Sequence, residues 1–275
     1  MSRRSGDDLR VAVLGLGEAG ARLAADLTAL GAHVSGFDPL PGPQIEGVRA
    51  AEDARDAVES SDVVLSVNSS RAAVAVARDS ADALAGRRLY ADLNTASPAV
   101  KAAVAQVVGE KCVPFADVAL MAPVPRRGIG TSALASGSGA DLFAELFVPL
   151  GMPVEVLGPE PGAAAQRKLL RSVFMKGLAA AIVESLQGAG AAGCEEWLRA
   201  DIVATLESAD ASLLDRLVDG SRRHAARRVE EMEAACELLR ELGVEPRVAA
   251  SAAAQLAEQA ELAELQRAGE EVRSR

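Results

Sequence analysis

The stretch that most constrains this chain is Val11-Ala-Val-Leu-Gly15-Leu-Gly17-Glu-Ala-Gly20. The apolar run from Leu9 to Leu14 has the length of a buried strand. It ends in Gly15-x-Gly17-x-x-Gly20, and a helical pattern follows at once, with Leu23, Leu27 and Leu30 on one face and Gly31 as a stop. A second strand, Ala32 to Phe37, closes on Asp38. Strand, glycine turn, helix, strand and acid in that order form the fingerprint of a dinucleotide-binding unit. Gly15 allows the tight turn, Gly17 lets the backbone approach a pyrophosphate, and Gly20 lets the helix pack closely. Leu16, Glu18 and Ala19 complete the turn. The helix N-terminus there offers unpaired N–H groups and a positive dipole end to phosphates.

Asp38 lies 18 positions after Gly20. A carboxylate at that place accepts hydrogen bonds from a ribose 2′-OH and repels a 2′-phosphate, which favours NAD over NADP. An aspartate before Pro39 also starts a turn on its own account. The loop Pro39 to Pro43 is able to lie over an adenine.

Further strands are expected at Asp62–Val67, Arg88–Asp92, Lys111–Phe115, Thr131–Ser136 and Pro153–Leu157, with a helix over Asp141–Leu150. Asn68-Ser69-Ser70 follows one strand, where a helix rich in Ala and Val begins with Ser69 or Ser70 as N-cap. Asn94 and Thr95 follow another, and Ser97-Pro98 is a strong helix start. Ligands of a doubly wound sheet sit beyond the carboxyl ends of its strands. That makes Asn68, Ser69, Asn94 and Thr95 candidate cofactor contacts, although helix capping accounts for Asn68 equally well. Asp117 to Gly128 is too rich in proline for a strand interior and reads as a loop lining a site. The alternation implies an α/β Rossmann-type domain with a mainly parallel sheet over residues 1–160.

From Pro161 the strands stop. Helices are expected at Ala163–Gln187, Glu195–Ser208, Ala211–Asp219, Ser221–Leu242 and from Arg247 to about Gly269, with breaks at Gly188–Gly193 and Gly243–Pro246. Residues 161–275 therefore read as an all-α C-terminal domain. The chain has 29 basic residues but only four lysines, and Lys168 and Lys176 both fall on the first of these helices. Lys168, Arg171, Ser172 and Met175 share one face. A partly desolvated lysine can exchange a proton and an arginine cannot, so Lys168 is a candidate acid/base, set against an ordinary solvated helix lysine. Arg171 offers a fork suited to a carboxylate or phosphate. In Ser221-Arg-Arg-His-Ala-Ala-Arg-Arg228, cations crowd the expected start of a helix and oppose its dipole. His224 and Arg228 then meet an anionic substrate group or an acidic surface across a dimer, or the run pairs locally with Glu230 and Glu231.

Composition narrows the rest. Aromatic residues make up 3% of the chain, so its core must be Ala, Val and Leu. A net charge of −10 argues against a nucleic-acid partner. No apolar run reaches the ~20 residues that span a bilayer, and the polar start, Met1 to Asp8, reads as a loose tail without a signal core. Three cysteines without a CxxC spacing suit buried thiols in a reducing cytoplasm, and no metal-ligand cluster appears.

The arrangement resembles the β-hydroxyacid dehydrogenase family, the 6-phosphogluconate dehydrogenase-like enzymes, over almost the whole chain. Four segments carry the resemblance: Gly15-Leu-Gly17-Glu-Ala-Gly20; Asp92-Leu-Asn-Thr95-Ala-Ser97-Pro98, similar to the stretch beside the nicotinamide; Asp117-Val-Ala-Leu-Met-Ala-Pro123, at the place of the substrate loop; and Gly162 through Lys168 to Glu184, similar to the catalytic-lysine helix. The resemblance implies an NAD(P)-dependent oxidoreductase with hydride transfer between nicotinamide and a small anionic hydroxy or keto acid. Lys168 would be the general acid/base. Thr95, Met121, Ala122, Arg171, Lys176, His224 and Arg228 would lie toward the substrate, and the helical domain would form a homodimer. Met121, Pro123 and Arg171 stand where the family usually has serine, glycine and asparagine, and Ala164 replaces a glycine, so the usual carboxylate cradle is altered. An imine reductase on the same fold and a non-catalytic dinucleotide sensor are the rival expectations.

Overall fold

A computed structural model describes residues 9–40 and 42–273, with side-chain environments as far as Gln266. The tail expected over Met1–Asp8 lies outside the described residues. Eight strands form one sheet: β1 Arg10–Leu14, β2 His33–Phe37, β3 Val48–Ala50, β4 Val63–Ser66, β5 Leu89–Asp92, β6 Phe115–Leu120, β7 Ala133–Ser136 and β8 Val154–Val156. Their order is β3-β2-β1-β4-β5-β6-β7-β8. Every neighbouring pair is parallel except β6 with β7. The chain leaves β1 toward β2 and returns on its other side as β4, so a topological switch point opens above the carboxyl end of β1.

The helices α1 Glu18–Ala29, α2 Ala54–Glu59, α3 Ala73–Asp79, α4 Pro98–Gly109, α5 Val124–Arg127 and α6 Ala140–Phe147 connect these strands. Two apolar layers cover the sheet. Val11 and Val13 enter one with Leu23, Leu27, Phe143 and Phe147, while Ala12 and Leu14 enter the other with Tyr90, Val104 and Val108. That is the period-two alternation of a strand buried on both faces. Ser97 caps α4 by accepting from Val100 N–H, with Pro98 in the first turn.

Several expectations are corrected. The strand expected at Lys111–Phe115 begins only at Phe115 and continues to Leu120, so Asp117 to Leu120 is strand and not loop. The prolines that suggested a loop start at Pro123, and all six residues of β6 are buried. β3 and α2 were not anticipated; both are short, and α2 is capped by Asp53, which accepts from Asp56 N–H. Neither Ser69 nor Ser70 caps α3: Ala72 holds that position, and Ser69 Oγ instead accepts from Ala72 N–H within the preceding turn. Of the three cysteines only Cys236 is buried. Cys112 sits in an exposed turn with φ of 56°, and Cys194 is exposed just before the next helical segment described below.

After β8 the described elements are all helices: α7 Ala163–Ala191, α8 Glu195–Glu207, α9 Ala211–Arg223, α10 Ala225–Glu241 and α11 Arg247–Arg273. The chain divides into two compact units, one ending at Ser172 and one starting at Val173. No helix among the described residues is long and apolar enough to cross a membrane. The break expected over Gly188–Gly193 falls at the far end of that span: α7 runs on to Ala191, and the chain turns at Ala192 and Gly193, the latter with φ of 73°. Gly188 serves packing: a Cβ there would lie 2.6 Å from Leu239 Cδ2 of α10. The break expected near Gly220 falls at His224 instead. Arg222 and Arg223 therefore end α9, where cations favour the dipole, and only Arg227 and Arg228 open α10. Within this unit Glu184 accepts from Val248 and Ala249 N–H, each at 2.8 Å, and so caps α11.

Candidate functional site

The glycine turn assigns a separate job to each glycine. Gly15 has φ of 103°, and a Cβ on it would lie 2.3 Å from Val67 O. A Cβ on Gly20 would lie 1.9 Å from Gly15 O, so only glycine lets α1 close on the turn. A Cβ on Gly17 would meet nothing within 4 Å, which leaves the approach from solvent open. Gly17 is the N-cap of α1, and no side chain caps that end. The first-turn N–H groups of Glu18, Ala19 and Gly20 are thus available to an anion.

Of the cavities that meet at this turn, two reach the ends of the central strands. One, of about 550 Å³, is lined by Gly15, Gly17, Asp38, Pro39, Leu40, Asn68, Ser69 and neighbours from α3. Asp38 Oδ2 accepts from Leu16 N–H at 2.7 Å and Oδ1 from Leu40 N–H at 2.9 Å, which holds the acid at the end of β2. No lysine or arginine stands among the described lining residues.

The other cavity, of about 290 Å³, is lined by Gly17, Glu18, Ala19, Asn68, Asn94, Thr95, Ala122 and Lys168, with Val67, Leu93, Leu120 and Val124. The half-buried Lys168 thus reaches the cofactor side of the first unit, opposite the ends of β4 and β5. Asn68 Nδ2 and Asn94 Nδ2 both donate to Ser66 Oγ, at 2.9 and 3.1 Å. With both nitrogens drawn to one hydroxyl, the buried Oδ1 atoms of Asn68 and Asn94 are left without a hydrogen-bond partner. Two orphaned acceptors beside an open helix N-terminus fit a dinucleotide, whose nicotinamide half carries amide and hydroxyl donors.

Beneath the cavity lies a cluster that spacing did not reveal. Asp92, Asp117 and Ser136 are register neighbours across β5, β6 and β7. Lys101, reaching in from α4, places Nζ 3.1 Å from Asp117 Oδ1 and 3.5 Å from Asp92 Oδ2, with all three side chains at most 1% exposed. Asp117 Oδ2 accepts from Gly162 and Ala165 N–H, at 3.1 and 3.0 Å, and Ser136 Oγ accepts from Ala164 N–H at 3.0 Å. The helix that carries Lys168 is therefore fastened to the sheet at its first turn. Burial pushes the Asp92 carboxyl above its usual range, and the Lys101 amine pulls it partly back. Lysine scarcity pointed to Lys168; it applied equally to Lys101, whose position between Asp92 and Asp117 only the register discloses.

Of the other candidates in the first unit, Met121 and Arg171 are not among the described residues lining this cavity. Met121 is half-buried and pairs its N–H with Ser132 O rather than lining the cavity. Arg171 is exposed on α7 and is not among the described lining residues. Lys176, His224 and Arg228 belong to the second unit. There His224 is the junction between α9 and α10, and Arg228 donates to Ser221 Oγ at 2.9 Å across that corner.

Fold and cradle together define a dinucleotide-binding oxidoreductase of the Rossmann class. The chain belongs to the 6-phosphogluconate dehydrogenase-like family. Residues 10–145 match the NAD binding domain of 6-phosphogluconate dehydrogenase, and residues 189–259 match a domain of unknown function, DUF1932. An uncharacterized 28.5 kDa protein of Methanothermus fervidus is 30% identical over 192 residues, covering 70% of this chain and 72% of that one. A conserved protein of unknown function, whose structure is described as similar to 3-hydroxyacid dehydrogenases, is 30% identical. That match covers 94% of this chain and 99% of the other with a TM-score of 0.58. An imine reductase from Myxococcus stipitatus in complex with NADP+ shares the fold at 21% identity and a TM-score of 0.79, over 92% of this chain and 94% of that one.

Proposed function

We propose that this protein is an NAD-dependent oxidoreductase of the hydroxyacid dehydrogenase type, acting on a small hydroxy or keto acid with Lys168 as general acid/base. The observation that carries this reading is the entry of Lys168 into the cavity shared by Gly17, Asn68, Asn94 and Thr95. The α1 N-terminus and Gly15 to Gly20 would hold the pyrophosphate, Asp38 and Ser69 the adenosine half, and Asn68, Asn94 and Thr95 the nicotinamide half. The bound dinucleotide supplies or accepts the hydride. Lys168 would give a proton to the carbonyl oxygen, or take one from the hydroxyl, and Leu93, Leu120, Ala122 and Val124 would keep water away. Arg171, Lys176, His224 and Arg228 remain proposals for binding an anionic group. The test is formation or loss of reduced nicotinamide over a panel of 3-hydroxy acids, sugar acids, keto acids and cyclic imines, with Lys168→Ala alongside. Turnover of a hydroxy or keto acid that vanishes in the variant supports the reading; undiminished turnover overturns it.

The apolar lining around Lys168 favours one second reading, an imine reductase on the same fold. Activity on cyclic imines that survives Lys168→Ala would select it.

We also infer that the helical unit works as a homodimer. Among its described residues the buried apolar side chains are Ala189, Ala225, Cys236 and Ala249, while Phe174, Trp197, Leu206, Leu214 and Leu262 are exposed. A helical unit with so slight a core is stabilised by a partner surface. A monomeric mass in solution would exclude this.

A further inference from the structure

On an open surface the Arg22–Asp26 pair of α1 would be an ordinary i,i+4 ion pair of little consequence. Here each member has a second partner 103 residues further along the chain. Asp26 Oδ1 accepts from Arg22 Nε at 2.9 Å, and Asp26 Oδ2 accepts from Ile129 N–H at 2.8 Å. Arg22 Nη1 donates to Pro125 O at 3.3 Å. Pro125 and Ile129 both lie on the corner that joins β6 to β7, residues 121–132. Gly128 stands between them with φ of 56°, and a Cβ on it would lie 1.8 Å from Asp26 Oδ2 and 2.9 Å from Arg22 Nε. Only glycine lets the corner come this close to the pair. The corner is also closed on itself, because Thr131 Oγ1 donates to Gly128 O at 2.7 Å.

Glu18, Ala19, Arg22 and Asp26 fall within one face of α1, about 100° wide. The corner runs along that face. Pro125 and Ile129 meet Arg22 and Asp26, while Ala122 and Val124 line the cavity of about 290 Å³ together with Gly17, Glu18 and Ala19. The cavity is therefore the open end of a seam that is fastened at its other end. The distance between its two walls depends on where the clamp holds the corner.

We propose that Arg22 and Asp26 are positioning residues that set the width of the reaction cavity, and with it the size of substrate accepted, by holding the β6–β7 corner against α1. This deepens the oxidoreductase reading above and rests on it. Neither residue is among the described residues lining the cavity, so the effect passes through Ala122 and Val124. With the clamp released the corner shifts as a body, since the Thr131 bond and the β6–β7 ladder stay intact. A wider seam holds a short substrate loosely and gives a longer one room. Misplacing a reacting atom by about 1 Å costs up to about a hundredfold in rate, and a well-fitted pocket tells one methylene apart by about tenfold or more.

The experiment compares the wild-type full chain with Asp26→Ala, Asp26→Asn and Arg22→Ala, each first checked for folding by circular dichroism. kcat/KM is measured over a homologous series of 3-hydroxy and 3-keto acids lengthened one methylene at a time, and over cyclic imines of growing ring size. In Asp26→Ala the shortest good substrate should lose about tenfold or more while the longer members lose little or gain, so that the size preference moves by about tenfold. NADH affinity should stay within about twofold, because the glycine turn keeps its own bonds, Gly15 N–H to Phe37 O and Leu16 N–H to Asp38. Arg22→Ala, which loses one arm of the clamp, should move the preference the same way and less. Asp26→Asn keeps an acceptor for Ile129 N–H and should hold the wild-type preference. Amide hydrogen exchange over residues 121–132 should quicken in Asp26→Ala and not in Asp26→Asn.

A uniform loss across the series overturns the proposal, since it would mark general destabilisation. So does an Asp26→Asn that behaves as Asp26→Ala, since the lost charge and not the bond to the corner would then be the cause. Unchanged exchange in the corner of a folded Asp26→Ala overturns the clamp whatever the rates show, and an unchanged size preference overturns its role in selection. If Asp26→Ala does not fold, Arg22→Ala decides on the same two readouts. A wild type that binds dinucleotide and turns over nothing in either series overturns the oxidoreductase reading, and the size selection proposed here with it.

Discussion

Asp117 and Ser136 face each other in register across the antiparallel pair β6 and β7, and both accept N–H groups from the first turn of α7. The cap of this helix thus comes from two strands distant in sequence. It sets where Lys168 stands relative to the ends of β4 and β5. Asp117→Ala should remove two of these bonds and leave Lys101 with one buried partner fewer. The expected loss is about 3–5 kcal/mol of unfolding free energy. Urea unfolding measures it, and a loss below about 1 kcal/mol would show that α7 is held some other way.

The glycine turn gives a contrast between two alanine substitutions. Gly20→Ala drives a Cβ to 1.9 Å from a backbone oxygen, where nothing flexible can yield. It should destabilise the protein by about 3 kcal/mol or more. Gly17→Ala meets no atom within 4 Å and keeps an ordinary φ of −62°. Its stability should change by less than about 1 kcal/mol, while NADH affinity falls by about tenfold or more, because the new methyl occupies the path of the pyrophosphate. Thermal melts and fluorescence titrations on both variants separate the two roles; equal effects on stability would contradict them.

Lys168→Ala should lower turnover by about 10²–10⁴-fold, the usual worth of a positioned acid or base. NADH affinity should stay within about twofold, since the phosphate and ribose contacts are elsewhere. Stopped-assay turnover and equilibrium binding are both needed, because a shared drop would mean that the lysine binds the cofactor and does not handle the proton.

Asp38 should set the choice between the two nicotinamide cofactors. Its carboxylate is held by Leu16 and Leu40 N–H, and no cation lies among the described residues of that cavity. The wild type is expected to bind NADH in preference to NADPH. Asp38→Asn should narrow that preference by about tenfold, chiefly by tightening NADPH as charge repulsion disappears. An unchanged ratio would reduce Asp38 to a turn residue.

Local patterns made much of this fold legible. The glycine turn, the buried strands β1, β2, β4 and β5, and the Ser97 start of α4 follow from periodicity and capping over a few residues. What stayed hidden depends on neighbours far along the chain. Gly188 looked like a helix break because nothing local shows that Leu239 packs on it. Gly220 looked the same, although a Cβ there would lie 2.5 Å from Arg228 Nη2. The strand Phe115–Leu120 was obscured by prolines that begin only after it ends. In the candidate site, Gly15 to Gly20, Asn68, Asn94, Thr95 and Lys168 could be named from motif and strand ends. Lys101 could not, since its partners come from β5 and β6 through the sheet register.

The sealed position of Lys101 makes this chain its own chemical gauge. An amine-reactive reagent finds four lysines in the sequence, and in the folded protein Lys111, Lys168 and Lys176 present at least part of their surface to it while Lys101 presents none. Mass spectrometry after brief labelling therefore reads out two things at once. Modification of Lys168 that bound dinucleotide suppresses would mark occupancy of the cavity, and the first appearance of label on Lys101 would mark the opening of the sheet itself.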